Sequence, residues 1–142
     1  HEHLKKTILP ALEKGQWVIS DRFADSTMAY QGFGHGLDRE IITRLHRLVV
    51  GSFAPDLTLI LDLDVSVGLE RSRKRLHEGE GVKEDRYERM RDDFHRRLRE
   101  GFLNIAKREV ERCAVLDAAG GVDAVRQAVG RIVRSRLGVE IP

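Results

Sequence analysis

An acidic and a basic residue stand side by side just after a short apolar run. The run 16–20 is followed at once by Asp21 and Arg22. A buried parallel strand ends in this way at its carboxyl end, the edge at which open α/β sheets bind ligands. There a carboxylate can hold a metal ion or a water molecule, and a planar guanidinium can hold a phosphate through two hydrogen bonds. The pair therefore predicts a phosphate site.

The residues that follow make this pattern specific. Residues 21–32 read Asp-Arg-Phe-Ala-Asp-Ser-Thr-Met-Ala-Tyr-Gln-Gly. The stretch resembles the Asp-Arg-aromatic signature of thymidylate (dTMP) kinases, followed by Ser-Thr-x-Ala-Tyr-Gln-Gly. An isolated Asp-Arg pair is usually a surface ion pair of little consequence. The whole stretch, in this order, favours the family resemblance instead.

The resemblance implies a role for each residue of the signature. Arg22 holds the acceptor phosphate, and Asp21 positions Mg²⁺ or its water, so both are expected to be catalytic. The rest of the nucleotide is expected among four further side chains, Ser26, Thr27, Tyr30 and Gln31. The serine and threonine face the base edge, the tyrosine packs beside the deoxyribose, and the glutamine supports them.

A second group of basic residues lies further along the chain. Arg71, Arg73 and Arg75 lead into the glycine-broken stretch 78–83, and Arg86 follows. This spacing resembles the lid of bacterial-type thymidylate kinases, placed here at about 71–88, whose arginines close over ATP. Cations brought in by a closing loop stabilise the charge of phosphoryl transfer and exclude water. The resemblance makes Arg75 the catalytic lid arginine, with Arg71 and Arg86 as helpers, whereas a solvated helix face is the alternative.

Three apolar runs alternate with helical patterns, which is typical of βαβ units and a parallel sheet. The predicted strands are 16–20, 57–64 and 114–118, and the second is apolar enough to be buried on both faces. Helical spacing of apolar residues predicts helices over 4–12 and 41–49, a third helix that runs through Leu69 toward Leu76, and helices over 87–105 and 123–137. Asp38 is the predicted N-cap of the second helix, and Asp64 or Ser66 that of the third.

The resemblance implies an α/β fold of the P-loop kinase type, with three layers and a parallel sheet flanked by helices. The sequence holds no G-x-x-x-x-G-K-[ST] phosphate loop, and its first residues already read as the middle of a helix. Residues 1–142 therefore resemble the carboxyl-terminal two-thirds of a single nucleoside monophosphate kinase domain, without the amino-terminal strands. Alone, this chain is expected to be inactive.

Composition limits the cellular setting. The 142 residues are 41% hydrophobic and carry a formal charge of +2. A single cysteine, Cys113, excludes an internal disulfide and fits a reducing compartment. No apolar run approaches the ~20 residues of a membrane span, and the six histidines show no metal spacing with carboxylates or cysteine. We expect a cytoplasmic protein that binds neither membranes nor nucleic acid.

The resemblance implies transfer of the ATP γ-phosphoryl group to dTMP, giving dTDP and ADP for dTTP synthesis, with Mg²⁺ as cofactor. It also implies a homodimer through the helices that flank the signature. Two alternatives stay open. A kinase for another deoxynucleotide could share the Asp-Arg pair, and a comparison of dTMP with dCMP and dGMP would decide. The other alternative is not an enzyme. It is a truncated, non-catalytic product, or a basic module that binds nucleic acid through residues 71–112 in a salt-dependent way.

Overall fold

The structure, a computed structural model, describes residues 2–77 and 92–139, apart from the side chains of residues 75–77. The chain divides into two compact units, His1–Ala54 and Pro55–Pro142. Within the described residues, no helix is both long and apolar enough to span a membrane.

The first unit is helical. A π-helical stretch, Leu4–Ile8, continues as α1, Leu9–Glu13. Its two buried residues, Leu4 and Ile8, lie one turn apart, as the helical pattern predicts. Gly15 ends the helix with a φ of 71°, a left-handed conformation that glycine adopts without a steric cost.

The signature segment forms α2, Ala24–Thr27, which runs directly into a second π-helical stretch, Met28–Gly34. Helix α3, Arg39–Val50, follows. Asp38 caps α3 as predicted, since its side chain accepts a hydrogen bond from the Glu40 backbone N–H at 2.8 Å. This bond satisfies one of the free amides at the helix start and fixes where α3 begins.

One face of α3 is only partly covered. Ile42 is buried, but Ile41, Leu45 and Leu48 are 63%, 56% and 84% exposed. All four residues belong to the apolar pattern that predicts the helix over 41–49. The structure confirms the helix. Only Ile42 is buried, because α3 contacts the π-helical stretch Met28–Gly34 on the side of this residue.

The prediction of a strand over residues 16–20 is wrong for this structure. These residues have no regular secondary structure, and Trp17 and Ile19 are 67% and 96% exposed. A strand exists only through hydrogen bonds to a neighbouring strand. The sheet among the described residues has two strands, which pair with each other, so the segment has no ladder to join.

The second unit is built on a parallel pair of strands, β1 (Thr58–Asp62) and β2 (Cys113–Asp117). Its helices are α4 (Val65–His77), α5 (Asp92–Arg108) and α6 (Val122–Leu137). The register pairs Thr58 with Cys113 and Asp62 with Asp117. Both strands therefore end in an aspartate at the same edge, and the predicted parallel order of the second and third apolar runs is confirmed.

The core of this unit lies between α5 and the two strands. The buried side chains include Ile60, Phe94, Ile105 and Leu116. The helix predicted over 87–105 is confirmed for its described part, and its apolar residues Phe94 and Ile105 are buried. The prediction that β1 is buried on both faces is wrong, because Leu61, which points to the face opposite Ile60, is 57% exposed.

Candidate functional site

Arg22 has an unusual backbone conformation. Its φ of 66° makes it the one non-glycine residue with positive φ in the described part of the chain. This left-handed conformation costs a residue with a Cβ atom roughly 1–2 kcal/mol. The Ser20 hydroxyl donates a hydrogen bond to the Arg22 carbonyl at 3.0 Å and so supports the turn. Strain of this kind is concentrated at functional sites, where it aims a side chain.

The strained residue contacts the aromatic member of the signature. The guanidinium carbon of Arg22 lies 5.2 Å from the ring centroid of Tyr30, within the range of a cation–π interaction. Tyr30 is half-buried in the π-helical stretch, a kind of helical irregularity that is frequent at functional sites. The structure thus brings two predicted substrate residues together.

Gly32, at the end of the signature, allows a close approach. A Cβ atom at this position would lie 3.0 Å from Arg39 Cγ, 3.2 Å from Met28 Sδ and 3.3 Å from Ile42 Cδ1. The Arg39 and Ile42 side chains of α3 therefore pack directly against the Gly32 backbone. The helix that carries Tyr30 is positioned by this contact.

The other predicted substrate residues surround this pair along the chain. Asp21 and Thr27 are exposed, and Ser26 and Gln31 are half-buried. The exposed carboxylate of Asp21 can serve as a ligand of Mg²⁺, which often takes only one or two protein carboxylates together with phosphates and water. Across residues 2–77 and 92–139, no three His, Cys, Asp or Glu side chains form a group that could hold a metal ion alone.

A second polar cluster lies at the carboxyl edge of β1. Arg99 of α5 binds both oxygens of Asp62, with Nε at 2.7 Å from Oδ1 and Nη2 at 3.0 Å from Oδ2. Its third nitrogen, Nη1, donates to Asp64 Oδ2 at 3.2 Å. This is the two-bond geometry in which a guanidinium binds a carboxylate most strongly.

Asp64 also caps α4. Its Oδ1 accepts hydrogen bonds from the Ser66 backbone N–H at 3.0 Å and from the Ser66 hydroxyl at 2.7 Å. Of the two predicted caps, the structure selects Asp64. These bonds from Ser66 hold the pKa of Asp64 below its ordinary value. The bonds from Arg99 do the same for the pKa of Asp62, and that pairing raises the pKa of Arg99.

Arg71 of α4 connects this cluster with the end of β2. Its Nη1 donates to the Ala118 carbonyl at 2.9 Å, and its Nη2 donates to the Ala119 carbonyl at 2.6 Å. Asp117 tightens the same loop, since its Oδ1 accepts a hydrogen bond from the Ala119 N–H at 2.8 Å. The predicted ATP-side residue Arg71 therefore lies at the carboxyl edge of the sheet, the edge where α/β proteins bind ligands.

Comparison with known proteins identifies the family. The sequence profile of thymidylate kinases matches residues 1–129. The chain belongs to the thymidylate kinase family.

Relatives and a solved structure agree with this assignment. The chain is 46% identical over 136 residues to the thymidylate kinase of Geobacter sulfurreducens, and 43% identical over 137 residues to that of Pelobacter propionicus. Each alignment covers 96% of this chain, but only 64% and 63% of these relatives. The crystal structure of the thymidylate kinase from Ehrlichia chaffeensis is 33% identical and superposes with a TM-score of 0.68, over 94% of this chain and 59% of that one. The predicted P-loop kinase-type α/β fold is confirmed.

Part of the predicted thymidylate kinase lid falls outside the described residues. Arg86 lies there, and Arg75 belongs to α4 with a side chain that is not described. Arg73 is exposed on the same helix. Of the predicted lid arginines, Arg71 is the one whose contacts the structure gives.

The sequence analysis missed the ion pair between Asp62 and Arg99. Their separation of 37 residues leaves no local pattern that could join them. A partial signal existed, because Asp62 falls within a predicted parallel strand close to its carboxyl end, where polar residues serve ligands. Asp64 was considered only as a helix cap.

Proposed function

We propose that the protein containing this chain transfers the γ-phosphoryl group of ATP to dTMP, giving dTDP and ADP for dTTP synthesis. The family match over residues 1–129 carries this proposal. The chain spans about two-thirds or less of the relatives it matches. Their catalytic activity is therefore our inference for the protein as a whole.

Arg22 is suited to hold the acceptor phosphate. Its strained backbone fixes the start of the side chain, and the Tyr30 ring supports the guanidinium plane. An arginine held from both ends keeps its fork oriented toward a phosphate, and little conformational entropy is lost on binding. Tyr30 would then lie beside the deoxyribose, with Ser26, Thr27 and Gln31 near the base.

Asp21 would hold Mg²⁺ or one of its waters. Its carboxylate is exposed and immediately precedes Arg22, so a cation and a phosphate would be bound by neighbouring residues. When bound, the ion would neutralise phosphate charge in the transition state. Asp21 contributes the fixed negative charge that orients the ion.

The carboxyl edge of the second unit would serve ATP. Arg71 and the loop 118–121 present a guanidinium and backbone groups there. We propose that Gly120 and Gly121 in this loop meet the adenine edge through backbone contacts. Arg75 and Arg86 remain proposed lid residues on the phosphates. Cys113, the single cysteine of the chain, is buried and suits the reducing cytoplasm that we propose as the setting.

A homodimer is the proposed assembly. The exposed side chains Ile41, Leu45 and Leu48 follow one another at spacings of four and three on α3, which places them in one stripe. A helix with an uncovered apolar stripe of this kind is suited to pack against its own copy in an isologous interface. Helix α3 follows the signature, as the family resemblance implies for the dimer helices.

Steady-state kinetics of the full-length protein test the proposed function. ATP turnover with Mg²⁺ is measured with dTMP, dCMP and dGMP as separate acceptors, and we expect the highest kcat/KM for dTMP. A higher kcat/KM for dCMP or dGMP would support the kinase of another deoxynucleotide. Titration with duplex DNA at low salt serves as the control for a nucleic-acid module, and we expect no binding.

A further inference from the structure

Two arginines from different helices reach the carboxyl edge of the parallel strands. Arg99 comes from α5 and binds the end of β1, whereas Arg71 comes from α4 and binds the loop after β2. Asp64 joins the two links, because it caps the helix that carries Arg71 and also accepts a hydrogen bond from Arg99. The contacts therefore connect α4, α5 and both strand ends.

This edge carries fixed negative charge. Asp62 and Asp117 end the two strands side by side, and Asp64 lies two residues further along. A nucleoside triphosphate keeps a net negative charge even when it binds Mg²⁺. Carboxylates without a positive partner at this edge would therefore repel it. Arg99 engages both oxygens of Asp62 and one oxygen of Asp64, so its single positive charge offsets one of these three negative charges.

Stability alone does not explain the pair. The side chain of Arg99 is 37% exposed, and those of Asp62 and Asp64 are 23% and 60% exposed. Ion pairs with this access to water make a modest contribution to the free energy of folding, and the two-bond pairing with Asp62 contributes most of it. The pair lies at the edge of the sheet that would bind ATP, which indicates a role in nucleotide binding in addition to stability.

We propose that Arg99 is a positioning residue for ATP. It offsets part of the negative charge of Asp62 and Asp64, and it holds the first turn of α4 so that Arg71 stays on the loop after β2. The inference rests on the proposed function, because it assumes that ATP binds at this edge. It assigns Arg99 no contact with substrate.

The test uses charge changes of opposite sign in the full-length protein. Arg99→Gln leaves Asp62 uncompensated, so we expect the Kd of Mg²⁺-ATP and the KM for ATP to rise about tenfold, with the KM for dTMP within about twofold. Asp62→Asn removes a negative charge and leaves Arg99 in place, so ATP should bind as tightly as in the parent or more tightly. The double variant Asp62→Asn/Arg99→Gln should return the Kd to within about threefold of the parent.

Arg108→Gln is the matched control. It removes the same charge from the same helix at its last residue, about 13 Å along the axis from Arg99. We expect no change in the Kd of ATP. Isothermal titration with Mg²⁺-ATP gives the Kd without dTMP, and thermal unfolding confirms that each variant is folded.

The outcomes separate this inference from the proposed function. If Arg99→Gln and Asp62→Asn weaken ATP binding to the same extent, or the double variant shows no recovery, the pair is a structural tether and the inference is wrong. Equal affinities in Arg99→Gln and Arg108→Gln would also overturn it, as would a parent that binds no ATP. A parent that binds ATP but does not phosphorylate dTMP would refute the proposed function alone. If Arg99→Gln does not fold, Asp62→Asn still tests the inference, because weaker ATP binding in this variant would contradict it.

Discussion

The guanidinium of Arg22 lies over the ring of Tyr30, with its central carbon 5.2 Å from the ring centroid. The arginine reaches this position from a left-handed backbone, and the tyrosine from a π-helical stretch. Two local irregularities therefore meet in one contact. Since irregular backbone is kept where a side chain must be aimed, this contact is the part of the first unit that we expect to be most sensitive to substitution.

Arg22→Lys should be damaging although it keeps the positive charge. Lysine offers a point charge in place of a planar fork, so two-bond phosphate binding is lost. We expect kcat/KM for dTMP to fall on the order of 10²-fold, the effect of losing one preorganised donor. Steady-state kinetics with Arg44→Lys as control, an exposed arginine on α3, should show the loss for Arg22 alone. Unchanged dTMP kinetics in Arg22→Lys would contradict the phosphate role.

Tyr30 should favour 2′-deoxynucleotides. A ring beside C2′ leaves no room and no hydrogen-bond partner for a hydroxyl, and exclusion of this kind is limited to about 10²-fold. We therefore expect a preference of about that size for dTMP over its ribose counterpart. Tyr30→Phe should retain the preference, and Tyr30→Ala should reduce it. If a folded Tyr30→Ala variant discriminates as strongly as the parent, the tyrosine is not the sugar gate.

Gly32→Ala should destabilise the first unit. The new methyl group would meet Arg39 Cγ at 3.0 Å and Ile42 Cδ1 at 3.3 Å, and such overpacking costs about 1–3 kcal/mol of unfolding free energy. Gly130→Ala in α6 is the matched control, because nothing lies within 4 Å of its Cβ position. That change should add about 0.5–1 kcal/mol. Urea unfolding compares the two, and equal shifts would show that Gly32 does not mark a close approach.

Acid should weaken the second unit through Asp62 and Asp64. Their pKa values are lowered in the folded state, so the folded protein keeps them ionised at a pH where the unfolded chain binds protons. Their contribution to stability is fully present above the ordinary pKa of about 3.9 and is lost as the pH falls through the lowered values. Urea unfolding, repeated from pH 6 down to the pH at which the protein denatures, should show the free energy of unfolding falling. In Asp62→Asn, this free energy should fall less steeply with pH. An identical slope in the variant would argue against the contribution of Asp62.

Leu45→Lys should disrupt the proposed homodimer. The substitution puts a charge in the centre of the exposed apolar stripe of α3, where burial against a second copy would be costly. We expect a dimeric parent and a monomeric variant in analytical ultracentrifugation. Glu40→Lys, an exposed charge near the start of the same helix, is the control and should remain dimeric. A dimeric Leu45→Lys variant would place the interface elsewhere.

Local patterns predicted what local interactions decide. The cap at Asp38, the strand Thr58–Asp62 and the stripe through Phe94 each depend on neighbours within a few residues or on one period. The strand predicted over 16–20 was wrong because a strand depends on a partner that its own sequence does not specify. The burial of β1 was overestimated for a similar reason, since Leu61 is covered only where another element packs on its face.

In the candidate site, too, the local motif was predictable and the contacts between distant residues were not. The sequence predicted Arg22 and Tyr30, because the motif places them eight residues apart in a known order. It did not predict the positive φ of Arg22, since arginine has no preference for that conformation. The link from Arg99 to Asp62 joins α5 to β1 and exists only once the second unit has folded.

Trp17 gives the molecule a spectroscopic property. It is the sole tryptophan of the chain, it is 67% exposed, and it lies five residues before Arg22. Emission from the indole of this chain, excited at the red edge of protein absorbance, therefore reports on this segment. A water-exposed indole emits at longer wavelength than a covered one, so a blue shift on adding dTMP, or on raising the protein concentration, would show directly that residues 16–20 have gained a neighbour.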